Sequence, residues 1–563
     1  MNQKSAVVSA LSPVLAEHLN EQAIEQLIEV PSHAEHGDLA FPVFQLAKVF
    51  RKAPQAIAQE VADQVDASKF DKVVAMGPYV NFFLKRGAVV NETLHAVLEG
   101  GASYGQSDLG QGRNVVIDMS SPNIAKPMSM GHLRSTVIGN SISLILAKLG
   151  YQPVRVNHLG DWGTQFGKLI VAYQGWGDEA TVKADPVKEL VKLYVDFHEK
   201  AETQPELEDQ ARAIFKRLED GDPEMLALWQ WFREESLKEF QKVYDLLEVE
   251  FDSYNGEAFY NDKMDEIVDL LEEKGLLSVD NGATLVHLED ETLPPALIKK
   301  SDGSTLYLTR DLATAYYRKR TYDFAKNLYV MGSEQSVHFK QLQTVLEMMG
   351  NEWAKDMAHV PFGLITLNGK KLSTRKGKIV LLEEVLKEAI SLARQQIELK
   401  NPGLENKDQV ARQVGVGAVV FHDLKTERMN SFDFNLEEIV QFEGETGPYV
   451  QYTHARSRSI LSKYGQEVDL SAEFDLSDDY AWEVAKKLAD YPRIIRQAGD
   501  RFEPSVVAKY LVQLAQLFNK YYANSRILDR DAGTASRIAL VAAVAQVLKD
   551  GLHLLGLHAP DKM

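Results

Sequence analysis

The sequence predicts a multidomain α/β protein. A Rossmann-type parallel sheet forms the catalytic domain, an α+β module precedes it, and an all-α helical bundle follows. Three observations lead there. Short apolar runs alternate with helical periodicity between residues 113 and 368, the pattern of a doubly wound sheet. Before that stretch, two strand-like runs meet at the turn dipeptide Gly77-Pro78. Beyond about Leu381 only the 3.6-residue period of helices remains.

Composition sets the outer limits. With 563 residues the chain has room for three or four domains. Its 45% hydrophobic and 25% charged content is that of an ordinary globular protein. No run reaches the ~20 apolar residues needed to span a bilayer. The first residues lack the charged start, apolar core and cleavage site of a signal peptide. The absence of cysteine excludes disulfides, catalytic thiols and thiolate zinc sites. A cytoplasmic enzyme with no metal site of its own is the simplest reading. The net charge of −19 argues against a nucleic-acid partner, unless a basic face is concentrated locally.

The elements follow in order. Residues 1–112 make the first module, with helical periodicity from Pro42 to Val65 and strands at Val73–Met76 and Tyr79–Leu84. Gly100 to Gly112 reads as a linker. A strand over Val115–Met119 leads through a polar loop to a helix from Gly131 to Leu149, capped by Gly150. Val154–Val156 is the next strand. Residues 171 to about 295 look like a charged, mostly helical insertion. The α/β pattern resumes with a strand around Leu306–Leu308, a helix from Asp311 to Arg320, a strand at Leu328–Met331 and a helix from Ser336 to Met349. His359–Leu367 reads as one strand closed by Asn368-Gly369. The last helix runs from Thr534, a candidate N-cap, to Leu554. The resulting division is 1–112, 113–368 with its insertion, 369–435 and 436–563.

Three clusters carry chemistry. Ser121-Pro122-Asn123-Ile124-Ala125-Lys126-Pro127-Met128-Ser129-Met130-Gly131-His132 joins a strand to a helix N-terminus, where free N–H groups and the helix dipole favour an anion. Gly131 lets a phosphate or adenine approach the backbone, and His132 and Lys126 can add a donor and a charge. A plain strand-to-helix turn with a surface histidine would look the same. Between Lys370 and Lys378 five of nine residues are basic, which suits a leaving pyrophosphate, although many charge runs are only solvated loops. Finally, Asp311 falls near a helix start beside Tyr307. It either meets the helix dipole or offers a carboxylate to a guanidinium in the switch-point crevice.

Taken together these residues resemble one family. Lys126–His132 is similar to the HxGH signature of class I aminoacyl-tRNA synthetases, and Lys371–Arg375 to their KMSKS loop. Ser121–Pro127, Gly160–Gly167, Lys300–Gly303, Tyr307–Asp311 and Glu445–Arg456 are similar to arginyl-tRNA synthetases in particular, of the bacterial type. The resemblance runs from about residue 30 to Met563. It implies that ATP, carried with Mg2+ as the substrate complex, activates L-arginine, and that arginine then passes to its tRNA. By the same resemblance Lys126, Ser129, His132 and Lys371 are catalytic, and Gly131, His132, Lys371 and Ser373 hold ATP. Asn123, Asn157, Tyr307, Asp311 and Gln335 form the arginine pocket. Tyr79 and Asn81 of the first module reach the tRNA elbow, and Tyr521, Tyr522 and Met563 of the helical domain lie at the anticodon. A monomer is expected.

Two positions depart from the family pattern. Ser129 stands where histidine is usual, and Thr374 replaces the second lysine of the basic signature. A lysine like Lys126 is the family's usual compensation. No editing domain is visible, and a polar pocket for a planar five-donor cation needs none. Other readings are a different class I synthetase, a small nucleotidyltransferase, or a synthetase-like RNA-binding protein without activity. The absent cysteines and the Tyr307/Asp311 pair oppose the first, and the long helical C-terminal region opposes the second.

Overall fold

The computed structural model describes residues 3–290, 292–301, 307–367, 370–371, 374–375 and 378–563; at 3, 34, 367, 370, 371, 374, 375, 378 and 379 it describes the backbone alone. The Asp302–Leu306 part of one motif, Asn368-Gly369 and Ser373 lie outside the described residues.

Four parallel strands form the central sheet. They are β1 (Asn114–Asp118), β2 (Gln152–Val156), β3 (Lys326–Tyr329) and β4 (Met357–His359), in the order β4-β3-β1-β2. Alternate residues of β1 serve different cores. Val115 and Ile117 join the larger cluster, while Val116 faces a second one shared with β3 and the helices after the insertion. A parallel sheet covered on both faces needs apolar residues at every position, hence the unbroken Val-Val-Ile run. The chain leaves β1 in one direction towards β2 and returns on the other side as β3. This places a switch point at the carboxyl ends of β1 and β3, where Asp118 pairs with Tyr329.

Helix α1 (Leu133–Lys148) makes the first crossover. It is buried along nearly its whole length, including its serines and threonines. One face packs on the sheet, and at Gly139 a side chain would strike Met119 of the strand exit. The other face packs on C-terminal helices Lys407–Lys425, Asp479–Arg501 and Thr534–Leu554. Both ends of α1 are fastened to that region. Arg134 is ion-paired with the buried Asp423 at 3.3 Å, and Lys148 with Asp550 at 3.0 Å. Helices α2 (Tyr307–Tyr322) and α3 (Ser336–Met348) flank β3 in sequence and cover the second core.

The first module is a three-stranded antiparallel sheet with Tyr79–Leu84 at its centre, between Leu39–Pro42 and Phe70–Met76. The C-terminal region is helical, with Gly447–Tyr464, Asp479–Arg501, Ser505–Asn524 and Thr534–Leu554 packed together.

Several local expectations need correction. Tyr307 and Leu308 open α2 and are not a strand; burial of Leu308, Leu312 and Ala315 on one stripe outweighs the β preference of a Leu-Tyr-Leu run. Residue 171 falls inside the helix Gln165–Trp176, and the mostly helical stretch to about 295 closes on a three-stranded antiparallel sheet, Leu277–Asp280, Ala283–Val286 and Ala296–Lys299. The expected single strand from His359 is two, Met357–His359 and Ile365–Leu367. Ile365–Leu367 pairs with a two-residue strand, Phe432–Asp433, inside the supposedly all-helical half. Gly100–Gly112 is packed: the Tyr104 hydroxyl donates to Leu488 O at 2.9 Å and its ring stacks on Tyr491. Gly533 caps the final helix, and Thr534 is its first residue.

Candidate active site

The loop leaving β1 is forced into a tight path. Ser120, Ser121 and Ala125 all have positive φ, at 70°, 51° and 59°. Left-handed backbone at non-glycine residues costs free energy and persists only where the surroundings enforce it. Here they do. Ser120 N–H donates to Ser135 Oγ at 2.9 Å, and Ser135 in turn donates to Val330 O at 2.7 Å. Ser121 N–H donates to Asn157 Oδ1 at 3.2 Å, and Ala125 N–H to Ser236 Oγ at 3.0 Å. Tyr244 joins these supports, its hydroxyl 2.8 Å from Ser120 Oγ and accepting from Asn157 Nδ2 at 2.9 Å. Ser236 and Tyr244 sit on the insertion helix Pro223–Leu247, so the insertion braces the loop. Burial pushes the Tyr244 hydroxyl well above its ordinary range and keeps it neutral.

Beyond this brace the loop turns outward, and Asn123 and Lys126 are exposed. A bridge from Asn123 to Gly160 ties it to the strand exit at β2, and Gly160 has no room for a side chain against the Asn123 amide. At the mouth of α1, Ser129 N–H donates to His132 Nδ1 at 3.0 Å. That assigns the ring proton to Nε2. Burial, aided by the Lys126 charge, lowers the His132 pKa. His132 is therefore a neutral donor. The exposed Gly131 backbone lies beside it.

The loop is also stitched to the segment that follows the basic run. Met130 N–H donates to Val380 O at 3.1 Å and Leu382 N–H to Met128 O at 3.0 Å. Within the run, the backbone of Lys370–Lys371 folds back on Ile365–Leu367, with Lys371 opposite Thr366, and Thr374–Arg375 pairs with Lys378–Ile379. Two clusters about 240 residues apart in the chain thus share one wall of the crevice.

The second wall is anionic. Asp311 lies one turn into α2, on the same face as Tyr307. Its Oδ2 is 2.5 Å from His338 Nε2 on α3. This hydrogen bond raises the His338 pKa. Tyr307 is 63% exposed, and Gln335 is exposed in a single turn before α3, so both face open space. Asn157 differs. It is fully buried, with both ends of its amide engaged by Ser121 and Tyr244. It positions the loop rather than offering itself to a ligand.

Sequence reading missed Glu257. Burial raises its carboxyl to a pKa of about 7, partly offset by Arg310, with Asp311 and Asp161 adding to the rise. A carboxyl poised this way beside Asp311 is one that a bound cation would ionise. Nothing in Asn255-Gly256-Glu257, within a charged insertion, marked it out.

The outlying candidates divide similarly. Tyr79 is half-buried and meets the exposed Phe44 ring edge-on at 5.6 Å. Asn81 is buried and its Nδ2 donates to His36 O at 2.5 Å, so it props the module and offers no surface contact. Tyr521 is fully buried too, which removes it from any base contact. Its neighbour Tyr522 is 44% exposed, and the Arg456 guanidinium lies 5.0 Å from its ring and 5.1 Å from Tyr452. Met563 is half-buried against that same Tyr452 cluster, its carbonyl held by Asn401.

Known proteins decide the family. A family model described as the catalytic domain of class I (R) tRNA synthetases matches residues 93–436. An arginine–tRNA ligase from Enterococcus faecalis is 63% identical over the full length of both chains. The chain belongs to the arginyl-tRNA synthetases. Its activity is that of an ATP-dependent arginine–tRNA ligase. The ligase of Pediococcus pentosaceus is 60% identical, again over the full length of both chains. Models for the arginyl-tRNA synthetase N-terminal domain and for the DALR anticodon-binding domain match residues 2–84 and 450–563. The arginyl-tRNA synthetase structure from Thermus thermophilus superposes with a TM-score of 0.81 at 27% identity, covering all of both chains. That from Plasmodium falciparum has the same fold, with a TM-score of 0.83 at 24% identity, covering 100% of this chain and 99% of that one. Among the described residues of this synthetase no helix is long and apolar enough to cross a membrane.

Proposed function

We propose that the crevice between α1 and α2 binds ATP and L-arginine with the roles that follow. Arginine enters with its guanidinium on Asp311, flanked by Tyr307, Gln335 and Glu257. Its carboxylate then reaches Asn123. A carboxylate oxygen attacks the α-phosphorus of ATP, the bond to the bridging oxygen breaks, and pyrophosphate leaves. Lys126 supplies positive charge at the phosphates, and His132 donates from Nε2. Lys371 and Ser373 of the basic run are assigned to the charge that develops on pyrophosphate. Preorganised donors of this kind need no reorganisation at the moment of reaction. Mg2+ would accompany ATP as part of the substrate complex and neutralise phosphate charge. In the second step a hydroxyl of the terminal tRNA ribose attacks the arginyl carbonyl carbon, and AMP departs with the hydroxyl proton.

The tRNA lies across both outer domains. Phe44 and Tyr79 offer an aromatic surface at one end, and Tyr452, Arg456 and Tyr522 a stacked cation–aromatic patch at the other. The working unit is a monomer in the cytoplasm.

What supports this reading is the part-exposed Asp311 carboxylate, held by a histidine that can lose its charge, together with the neutral His132 donor and the exposed Lys126 at the mouth of α1. Pyrophosphate exchange with each amino acid in turn, with and without tRNA, tests it. Exchange dependent on arginine is expected, and exchange with another amino acid at comparable efficiency would refute the pocket.

A further inference from the structure

The first module and the helical C-terminal region touch each other directly, and Asp38 is at the centre of the contact. One of its carboxylate oxygens accepts from Leu84 N–H at 3.0 Å, at the far end of the strand that begins with Tyr79. The other accepts from the indole N–H of Trp482 at 3.1 Å, in the first turn of helix Asp479–Arg501. Lys486, one turn further on, lies 3.9 Å from that same oxygen. The Asp38 side chain is 13% exposed and Trp482 only 1%. A carboxylate accepting from donors on two modules, largely out of water, is a strong and directional link. The turn that presents it is held as well. Gly37 has a φ of 89°, a side chain there would strike Phe82 O, and the buried Asn81 holds His36 O. Helix Arg86–Gly100, which follows the strand, packs along Asp479–Arg501 and Thr534–Leu554. On it Arg86 donates to Asp479 at 2.7 Å, and Asn91 accepts from Phe474 N–H at 2.8 Å.

A ligand gripped at two separated surfaces binds more tightly when their spacing is fixed, because the second contact then forms at a high effective concentration. A tRNA lying across both outer domains is such a ligand. On one side of Asp38, the strand Tyr79–Leu84 leads to the aromatic surface of the first module. On the other, helix Asp479–Arg501 packs on Ser505–Asn524, which carries Tyr522. The two surfaces are thus joined through regular elements and one carboxylate. We propose that Asp38 and Trp482 are positioning residues that fix the spacing between the two tRNA-binding surfaces. The inference rests on the two-ended tRNA reading given above.

The test compares the full-length synthetase with Trp482→Phe, which keeps the ring and removes the donor, with Asp38→Ala, and with the double variant. Two ligands are used: whole tRNA for arginine and its isolated anticodon stem-loop. Each single variant is expected to bind whole tRNA about tenfold more weakly than the parent does. Its KM for tRNA should rise accordingly, with kcat at saturating tRNA within about twofold. The stem-loop engages one surface only, so its affinity should be the same in every variant as in the parent. The double variant should lose no more than Asp38→Ala, because the two side chains act through one bond. Should Asp38→Ala fail to fold, Trp482→Phe carries the same comparison. Equal weakening of both ligands would place the damage within the anticodon surface and overturn the proposal. Unchanged binding of whole tRNA would overturn it too. A parent that binds the stem-loop as tightly as whole tRNA would refute the two-ended reading itself, and this inference with it.

Discussion

Three carboxylates lie within electrostatic reach of the buried His158 ring, and two of them, Asp118 and Asp311, are held in opposite ways. Asp118, at the carboxyl end of β1, accepts from Arg318 at 2.8 Å and from the Ser121 hydroxyl at 2.9 Å. The side chains of that ion pair are 9% and 0% exposed. Asp311, across the switch point, is paired with His338, and those side chains are 29% and 31% exposed. Desolvated charges need a permanent partner, so the first pair is part of the framework. The second has a partner that can lose its charge and leave. A carboxylate that must take up and release a guanidinium in each turnover belongs in the second class.

This contrast predicts a separation of stability from activity. Replacing Arg318 with Met strands the Asp118 carboxylate in the interior, at a cost of about 3–5 kcal/mol. Thermal or urea unfolding should show the loss directly. A variant as stable as the parent would mean that Asp118 is not held as a buried charge.

At the mouth of α1, the proposed phosphate wall, Lys126 is exposed and Ser129 helps orient His132 through its backbone N–H. Lys126→Met should therefore slow single-turnover adenylate formation, with tRNA present, by tens- to hundreds-fold, about 2–4 kcal/mol for one preorganised charge. Ser129→Ala retains the N–H and should cost less than about tenfold. The reverse order would show that the serine hydroxyl makes the essential contact.

The open pair should also respond to pH. The hydrogen bond to Asp311 raises the folded-state pKa of His338 above its ordinary value of 6.5. The stability contributed by this pair is full below 6.5 and is lost as pH rises through the raised value. Arginine gains over the same interval, because neutral His338 no longer competes for Asp311. KM for arginine should fall severalfold as pH rises from 6.5, and His338→Gln should flatten the profile. A profile unchanged by that substitution would separate His338 from arginine binding.

The smallest effect lies far from the crevice. The Tyr521 hydroxyl is buried without a hydrogen-bond partner among the described residues. Tyr521→Phe should leave charging intact and raise stability by at most about 1 kcal/mol. A loss of tRNA affinity would restore Tyr521 as a contact.

What the sequence disclosed follows the strength of each local signal. The Val-Val-Ile strand, the polar loop and the helix to Gly150 are consecutive and strongly patterned, and the structure has them within two or three residues. The sheet at Leu277–Lys299 was hidden by strands of four residues, although Asn281-Gly282, both with positive φ, is a strong hairpin cue. Tyr307 shows tertiary packing overriding a short β-like run. Candidate site residues in contiguous motifs could be singled out from the sequence. Glu257, Ser236, Tyr244 and His338 could not, because their meaning depends on an insertion or helix folding back over the loop. Asn81, Asn157 and Tyr521 show the converse: position in a motif does not reveal whether a side chain faces a ligand or the interior.

The central claim is that Asp311 recognises the charge of arginine. The most direct measurement compares kcat/KM for arginine and for citrulline, its uncharged isostere, in the parent and in Asp311→Asn. Breaking a desolvated charge pair costs about 3–5 kcal/mol, so the variant should lose at least a hundredfold on arginine. Its preference over citrulline should collapse, with ATP binding unchanged and the protein still folded. Arginine use within about fivefold of the parent, with discrimination against citrulline preserved, would contradict the account.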